Sequence, residues 1–304
     1  MVDISSVCGV VFLDKPIGWT SRQAVNAVVR QFTPAGRKRI KAGHGGTLDP
    51  LATGMLPILL GEATRYADYG LSAEKAYTVS FDLSYLTDTL DKEGEICARF
   101  ERVIEEQELQ AVLGKFTGRI EQVPPAYSAI RVDGKRAHES ARSGQSVELP
   151  ARPVEILELS LLHFDFPVVT LHVRCSKGTY IRSLARDIGA ALDMGGCVTA
   201  LRRTSTGGWP ESMMVTLPEL EERGVECVLP LKLWLRDLHR CELSEEQARR
   251  FLQGQRLQLD EKYSGEASVF CHDMLLGNAE LKPGMKKMVL HPLRILPSAQ
   301  EYFL

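Results

Sequence analysis

Apolar positions recur along the chain with two different periods, one typical of strands and one of helices. The mostly apolar run from Gly9 to Asp14, ended by Lys-Pro and Gly18, predicts a strand that enters a turn. A capping residue, Thr20 or Ser21, then precedes apolar residues at helical spacing up to Phe32, which predict a helix. The N-terminal part of the chain should therefore begin with a strand, a turn and an amphipathic helix.

The middle of the chain mixes further strands and helices without a regular order. Tyr77, Val79, Phe81 and Leu83 alternate with polar residues and predict a half-exposed strand. Other segments predict a helix around residues 109–116, a helix around residues 181–192, strands at 55–60, 154–164 and 168–175, and a hairpin turn at 133–134. Because regular βαβ alternation is missing, the predicted fold class is α+β with a mixed, largely antiparallel sheet.

The pattern changes character around residues 230–240. Ser244 and Gln247 form a capping-box pattern that opens a short helix, and Gly254 is placed to end it. Short strand-like pieces follow to the end of the chain. We therefore predict a main domain at residues 1–238 and a small β-rich domain at residues 239–304.

Composition places the chain among ordinary globular proteins. It has 304 residues, of which 44% are hydrophobic and 25% charged, enough for a sizeable core. The first twenty residues lack a basic segment followed by a long apolar one, so we expect no signal peptide. No apolar stretch is long enough for a membrane span, and a cytoplasmic location is the resulting expectation.

Cysteine and histidine spacing gives no indication of a metal centre. The seven cysteines are scattered singly, without a CxxC pair, and the seven histidines show no HExxH arrangement. We therefore expect no bound metal and no disulfide framework.

The formal net charge is only −2, which argues against indiscriminate nucleic-acid binding. Charge is nevertheless segregated along the chain. Residues 37–41 hold four cations in five positions, whereas acidic residues cluster at 101–108, 219–226 and 242–246. Any single basic pair is most simply a solvated face, but the segregation is what a basic, RNA-facing side would produce.

Residues 43–54, GHGGTLDPLATG, form the most unusual segment. Its four glycines permit left-handed backbone and close approach to a ligand, while Pro50 restricts the conformation of Asp49. This pattern suits a carboxylate on a rigid loop. Composition alone favours a glycine-rich structural turn whose Asp accepts local hydrogen bonds. A phosphate-binding P-loop fits poorly, because no GK[ST] follows the glycines.

This segment resembles the catalytic loop of the TruB family, which converts the uridine at tRNA position 55 to pseudouridine. The resemblance extends over residues 9–209 and follows the family's motif order. The matching segments are LDKPIGWTS at 13–21, EKAY at 74–77, QVPPAYSA at 122–129, SKGTYIR at 176–182 and LRR at 201–203. The compact length and the lack of a basic tail favour the bacterial, standalone type within this family.

The resemblance implies three catalytic residues. Asp49 corresponds to the essential carboxylate that initiates breakage of the C1′–N1 bond, by attack on the sugar, attack on the base or removal of a sugar proton. Tyr77 would stack on the flipped uracil, and Arg182 would pair with Asp49 and keep it ionised in a dry pocket. Without the motifs, Tyr77 is simply a buried strand aromatic and Arg182 a helix-surface residue.

Three further residues would bind the substrate. By the same resemblance, Tyr180 and Leu201 would shape the uracil pocket, and His44 would contact RNA near the vacated base position. Pseudouridine formation detaches the base, rotates it and rejoins it through C5 without net redox change. The resemblance therefore implies no cofactor, tRNA bound through its T arm as partner, and no required protein partner or membrane.

Three positions depart from the family pattern. They are Gly45-Gly46 in the loop, Arg131 where a lysine is expected, and residues 195–199 before Leu201. The C-terminal segment resembles the small PUA barrel, which in this family grips the tRNA acceptor end.

Other functions stay open at this point. A catalytic subunit of a guide-RNA complex would share the same motifs, and a non-catalytic RNA-folding factor would share the fold. A glycoside hydrolase would need a second carboxylate paired with Asp49, and the motif segments supply none.

Overall fold

The structure, a computed structural model, describes residues 7–33, 36, 38–127, 131–132, 135–136 and 149–303. The strands in this part of the chain are β1 Gly9–Lys15, β2 Ala42–His44, β3 Ala52–Leu60, β4 Lys75–Asp82, β5 Tyr85–Thr87, β6 Ile96–Arg99, β7 Gly118–Gln122, β8 Arg131–Val132, β9 Lys135–Arg136, β10 Arg152–Asp165, β11 Val168–Cys175, β12 Cys197–Thr206, β13 Leu229–Pro230, β14 His239–Glu242, β15 Leu257–Leu259, β16 Gly265–Cys271, β17 Met274–Pro283 and β18 Met288–Ile295. The α-helices are α1 Ser21–Gln31, α2 Ala67–Ser72, α3 Glu106–Leu113, α4 Ile181–Ala190, α5 Leu217–Arg223, α6 Leu231–Trp234, α7 Glu245–Leu252 and α8 Pro297–Phe303.

A large mixed sheet organises the first part of the chain. Its strand order is β13-β1-β3-β12-β4-β11-β10-β7, with β2 paired to β3. Of these pairs, β3 and β12 run parallel and the others antiparallel. The predicted α+β class with a largely antiparallel sheet is confirmed.

The first helix begins where the sequence predicts it. Thr20 caps α1, and its hydroxyl accepts a hydrogen bond from the backbone N–H of Gln23, whose side chain returns a bond to Thr20. This reciprocal capping box satisfies two backbone donors that a bare helix end leaves unpaired. Ala24, Val25 and Val28 then face the core.

Strands β1 and β3 are buried on both faces. Val11 and Leu13 join one apolar cluster, together with side chains of α1 and α4, whereas Val10 and Phe12 join a second cluster on the opposite face. A strand covered on both sides needs apolar residues at every position rather than at alternate ones. The unbroken run from Val10 to Leu13 has this physical cause.

Strand β3 starts earlier than its predicted apolar run at residues 55–60. Ala52, Thr53 and Gly54 already pair with Leu201 to Arg203 of β12. Gly54 has a φ of +94°, and a Cβ there would lie 2.3 Å from the carbonyl oxygen of Arg203. Glycine allows this close strand approach, which hydropathy alone does not indicate.

The predicted hairpin falls partly outside the described residues. Strands β8 and β9 pair antiparallel on either side of it. The turn at residues 133–134, and Ser128 and Ala129 of the third motif, lie beyond what is described.

A second sheet, of order β14-β16-β17-β18-β15, forms the C-terminal β-rich domain. As predicted, Ser244 caps α7 in a capping box with Gln247. The second apolar cluster includes Val10, Phe12 and Met55 of the large sheet together with Phe251 and other C-terminal residues. The two sheets therefore share one hydrophobic core.

No helix in the described part of the chain has the length and apolarity that a membrane span requires.

The shared core predicts that the two sheets unfold together. Trp209 and Trp234 lie in the shared cluster, whereas Trp19 packs against the first cluster, so the fluorescence of Trp19 in a Trp209→Phe, Trp234→Phe background reports on the rest of the chain. Phe251→Ala in α7 should cost about 3–5 kcal/mol and lower the fluorescence midpoint by roughly 5–10 °C. Tyr302→Ala, at a residue 72% exposed in the same domain, is the control and should change little. An unchanged midpoint in Phe251→Ala would show that the sheets are energetically independent.

Candidate active site

Residues 45–51, between β2 and β3, form the Asp49 loop. A cavity of about 630 Å³ opens where this loop, β4, β12 and the N-terminus of α4 meet. Five of the six site residues predicted from the sequence line it: Asp49, Tyr77, Tyr180, Arg182 and Leu201. Its size is typical of pockets that hold a small ligand or a single base.

An ion pair joins the Asp49 loop to α4. Arg182 Nη2 lies 2.9 Å from Asp49 Oδ2, and the Arg182 side chain is only 7% exposed. Arg182 is therefore not the surface residue that its helix position alone suggests. The Asp49 side chain is 39% exposed, so its carboxylate contacts solvent in this structure.

A second carboxylate, which sequence analysis missed, completes the surroundings of Arg182. Asp91 Oδ2 lies 3.4 Å from Arg182 Nη1, and its side chain is as buried as the guanidinium. Arg182 also donates to the carbonyl oxygens of Thr89, at 2.7 Å, and Tyr127, at 3.1 Å. Four acceptors offset the cost of burying this charge.

The turn that carries Asp91 has an unusual backbone. Leu90 adopts a φ of +65°, a left-handed conformation that is unfavourable for a side chain of its size. Its neighbours on either side, Thr89 and Asp91, both contact Arg182. We infer that the strained residue turns the chain so that a carbonyl and a carboxylate face the same guanidinium. Nothing in the segment's hydropathy distinguishes it from an ordinary polar turn.

Arg203 binds the Asp49 loop through its guanidinium. Sequence analysis did not identify it as a site residue. Its guanidinium is almost completely buried and donates to the carbonyl oxygens of Gly46, at 3.0 Å, Thr47, at 3.3 Å, and Met55, at 2.6 Å. These bonds fix the backbone on both sides of Asp49. The fifth motif thus contributes a loop-supporting arginine besides Leu201.

The first motif, residues 13–21, also binds the Asp49 loop. Ser21 Oγ donates to the carbonyl oxygen of Leu48, at 2.9 Å, and accepts from its N–H, at 2.8 Å. Lys15 Nζ donates to the carbonyl oxygens of Trp19, at 2.6 Å, and Pro50, at 3.4 Å. Burial lowers the pKa of Lys15 to about 8. Both neighbours of Asp49, Leu48 and Pro50, are thereby hydrogen-bonded to the first motif.

The walls of the cavity come from the sheet. Tyr77 on β4 pairs in register with Arg203 on β12, and Leu201 pairs with Val79. Burial raises the pKa of Tyr77, so its phenol is protonated at neutral pH. Lys75, another residue missed by sequence analysis, lines the cavity, and burial together with nearby Arg203 lowers its pKa to about 8.

Tyr180 and His44 differ in how the structure places them. Tyr180 precedes α4 and lines the cavity, and its backbone exchanges hydrogen bonds with the side chain of Gln122. His44, on β2, is not among the residues that line the cavity. Burial, with the charges of Arg203 and Arg22, lowers the pKa of His44, so the ring is neutral at neutral pH.

Among the described residues, no cluster of three or more His, Cys, Asp or Glu side chains could hold a metal ion.

Two family matches cover most of the chain's first three quarters. Residues 33–181 match the TruB family pseudouridylate synthase N-terminal domain, and residues 182–231 match the tRNA pseudouridylate synthase B C-terminal domain. The tRNA pseudouridine synthase B of Ralstonia pickettii is 45% identical over 261 residues, which cover 83% of this chain and 80% of that protein.

The chain belongs to the TruB family of pseudouridylate synthases. A relative of the same name from Azoarcus sp. is 40% identical over 294 residues and covers 95% of both chains. Among solved structures, a chain of a Cbf5-Nop10-Gar1 complex superimposes with a TM-score of 0.74, covering 96% of this chain and 85% of that one. At 24% identity that likeness shows a shared fold.

The four contacts of Arg182 predict that lysine cannot replace it. A single ammonium cannot reach two carboxylates and two carbonyl groups that lie on different sides of the guanidinium. Arg182→Lys should lower the free energy of unfolding by roughly 2–4 kcal/mol, measured by urea titration. Arg186→Lys, one turn along α4 at a side chain 24% exposed, is the matched control and should cost under about 1 kcal/mol. Equal, small losses in the two variants would contradict the assigned role of Arg182 as a buried link.

Proposed function

We propose that this protein isomerises uridine to pseudouridine at position 55, in the T loop of tRNA, with Asp49 as the essential carboxylate. The observation that carries the proposal is the placement of Asp49, paired with Arg182 at 2.9 Å in a base-sized cavity. The relatives named tRNA pseudouridine synthase B support tRNA as the substrate.

The reaction balances within the substrate itself. The C1′–N1 bond breaks, the uracil rotates, a C1′–C5 bond forms, the proton on C5 leaves and N1 gains one. No electrons are gained or lost, so the chemistry requires neither an oxidant nor an energy source. Asp49 begins the sequence by attacking the sugar, attacking the base or removing a sugar proton, and Arg182 stabilises its charge in each case.

The remaining pocket residues suit a base that has left its stack. Extruding a nucleotide costs a few kcal/mol, and stacking on an aromatic ring returns roughly 1–3 kcal/mol. Tyr77 supplies that ring in our proposal and can later take part in proton transfer from C5. Leu201 and Tyr180 bound the uracil, while His44 contacts the RNA outside the cavity.

A cationic surface lies beside the site. Residues 15–48 contain seven Lys or Arg and no Asp or Glu. Arg22, Lys38, Arg39 and Lys41 are exposed, and the charge of Arg22 reaches His44. Phosphate groups of the T arm would be held by such a surface, with an affinity that falls as salt is added.

We also propose that residues 239–304 form an RNA-binding, PUA-like domain beside the catalytic domain of residues 1–238. Lys282, Lys286 and Lys287 are exposed there. Lys282 pairs with half-buried Glu280 at 2.8 Å and Lys287 with exposed Asp260 at 2.7 Å, and such surface pairs are weak enough for phosphates to compete. In this proposal the protein acts on tRNA in the cytoplasm and requires no protein partner.

The position of modification is tested with an unmodified tRNA transcript and purified protein. Pseudouridine should appear at position 55 without any added RNA, and a transcript with cytidine at that position should yield none. Pseudouridine at another site would overturn the T-loop assignment. Activity that needs a guide RNA would favour the guide-RNA subunit, and tRNA binding without any product would favour an RNA-folding factor.

The carboxylate is tested with Asp49→Asn. The amide keeps the size and hydrogen bonding of the side chain but cannot serve as nucleophile or base. Product formation should fall at least about 10⁴-fold, whereas the Kd for tRNA should change less than about threefold. Asp88→Asn, on an exposed turn, is the control. Wild-type turnover by Asp49→Asn would remove Asp49 from the catalytic machinery.

A further inference from the structure

The C-terminal domain contacts residues 61–72, which we call the docking segment; it comprises the 3-10 helix Gly61–Tyr66 and α2. Arg294 Nη2 lies 3.1 Å from Asp68 Oδ2. Ser298 donates to the carboxylate of Glu62 through its N–H, at 3.0 Å, and its hydroxyl, at 2.9 Å. Arg65 donates to the carbonyl oxygen of Ile295, at 2.6 Å. The segment is thus held along its length by the C-terminal domain.

Tyr69 makes the most enclosed of these contacts. Its hydroxyl donates to Glu266 Oε1, and Asn278 Nδ2 donates to both the Tyr69 oxygen, at 3.0 Å, and Glu266 Oε1. Asn278 is completely buried. Burial, followed by the hydrogen bond to Glu266, raises the pKa of Tyr69, so the hydroxyl keeps the proton that it donates. A charge-assisted bond of this kind fixes a ring more firmly than a neutral one.

The next residue, Gly70, touches the Asp49 loop. A Cβ on Gly70 would lie 2.8 Å from the carbonyl oxygen of Gly45 and 2.9 Å from its Cα, with Trp234 Cζ2 at 3.0 Å. Gly45 belongs to the same loop as Asp49 and is buried. Because two glycine backbones meet without an intervening side chain, a shift of Gly70 passes directly to the loop.

A second cavity, of about 330 Å³, borders the docking segment and is lined by Tyr69, Ser72, Trp209 and Trp234, among others. Beyond Gly70, Leu71 and Lys75 line the large cavity that contains Asp49. The same short stretch of chain therefore connects the C-terminal domain to the walls of the active site.

We propose that Tyr69 is a positioning residue, whose hydrogen bonds to Glu266 and Asn278 hold Gly70 against Gly45 and so set the geometry of the Asp49 loop. The inference rests on the proposed pseudouridine-forming activity. The C-terminal domain then affects the reaction rate by fixing the position of the Asp49 carboxylate. This effect is separate from any contact that the domain makes with RNA.

The test is Tyr69→Phe, which removes one oxygen and keeps the ring. Single-turnover rates at saturating, unmodified tRNA transcript should fall about 3- to 10-fold, because small displacements of a reacting group are costly. The Kd for the transcript should stay within about twofold. Ser298→Ala is the matched control, since it loses a contact at the far end of the docking segment, and its rate should equal that of the wild type.

A double-mutant cycle with Glu266→Gln separates positioning from general loosening. If Tyr69 acts through Glu266, the rate loss from Tyr69→Phe should be smaller in the Glu266→Gln background than in the wild type. A wild-type rate in Tyr69→Phe, or an equal rate loss in Ser298→Ala, overturns the proposal. The wild-type protein is assayed alongside, so a failure of the proposed function shows as absence of product before any variant is compared.

Discussion

The buried guanidinium of Arg182 is the interaction on which the site depends. A cation inside a protein is tolerated only when acceptors surround it, and here they come from three separate segments: the Asp49 loop, the turn of Thr89 and Asp91, and the backbone at Tyr127. The need to satisfy one charge therefore brings these segments together. Asp49 enters the arrangement as one acceptor among four, which leaves its carboxylate partly open to the cavity.

The second constraint is that β1 and β3 have no solvent-facing side. One face belongs to the apolar cluster that includes side chains of α1 and α4, and the other to the apolar cluster that continues into the C-terminal sheet. A domain attached in this way is not an appendage tethered by a linker. Through Tyr69 its contacts with residues 61–72 reach the neighbour of Gly70, whose backbone meets Gly45 of the Asp49 loop.

The sequence correctly predicted those helices and strands whose patterns depend only on neighbouring residues. The cap at Thr20, the alternation through Tyr77 and the capping box at Ser244 all depend on neighbours within a few positions, and the structure has them. The motifs led to the residues around the cavity because their order matches one family. Asp91 was missed because a polar turn has no periodicity, and its importance comes from a partner 91 positions away. Arg203 and Lys75 were not distinguished from solvated basic residues, since only the folded sheet shows that they are buried.

The hydrogen bonds of Arg203 have a consequence for the order of folding. Its partners at Met55, Thr47 and Gly46 precede it by 148, 156 and 157 positions. Contacts between such distant residues carry a large loop-closure cost and form late. As a chain made from its N-terminus, the protein can build β1, α1 and β3 long before β12 exists. Lys15 and Ser21 can hold the Asp49 loop first, but the loop lacks the three hydrogen bonds of Arg203 until β12 inserts between β3 and β4, so the large sheet and the candidate site are completed together.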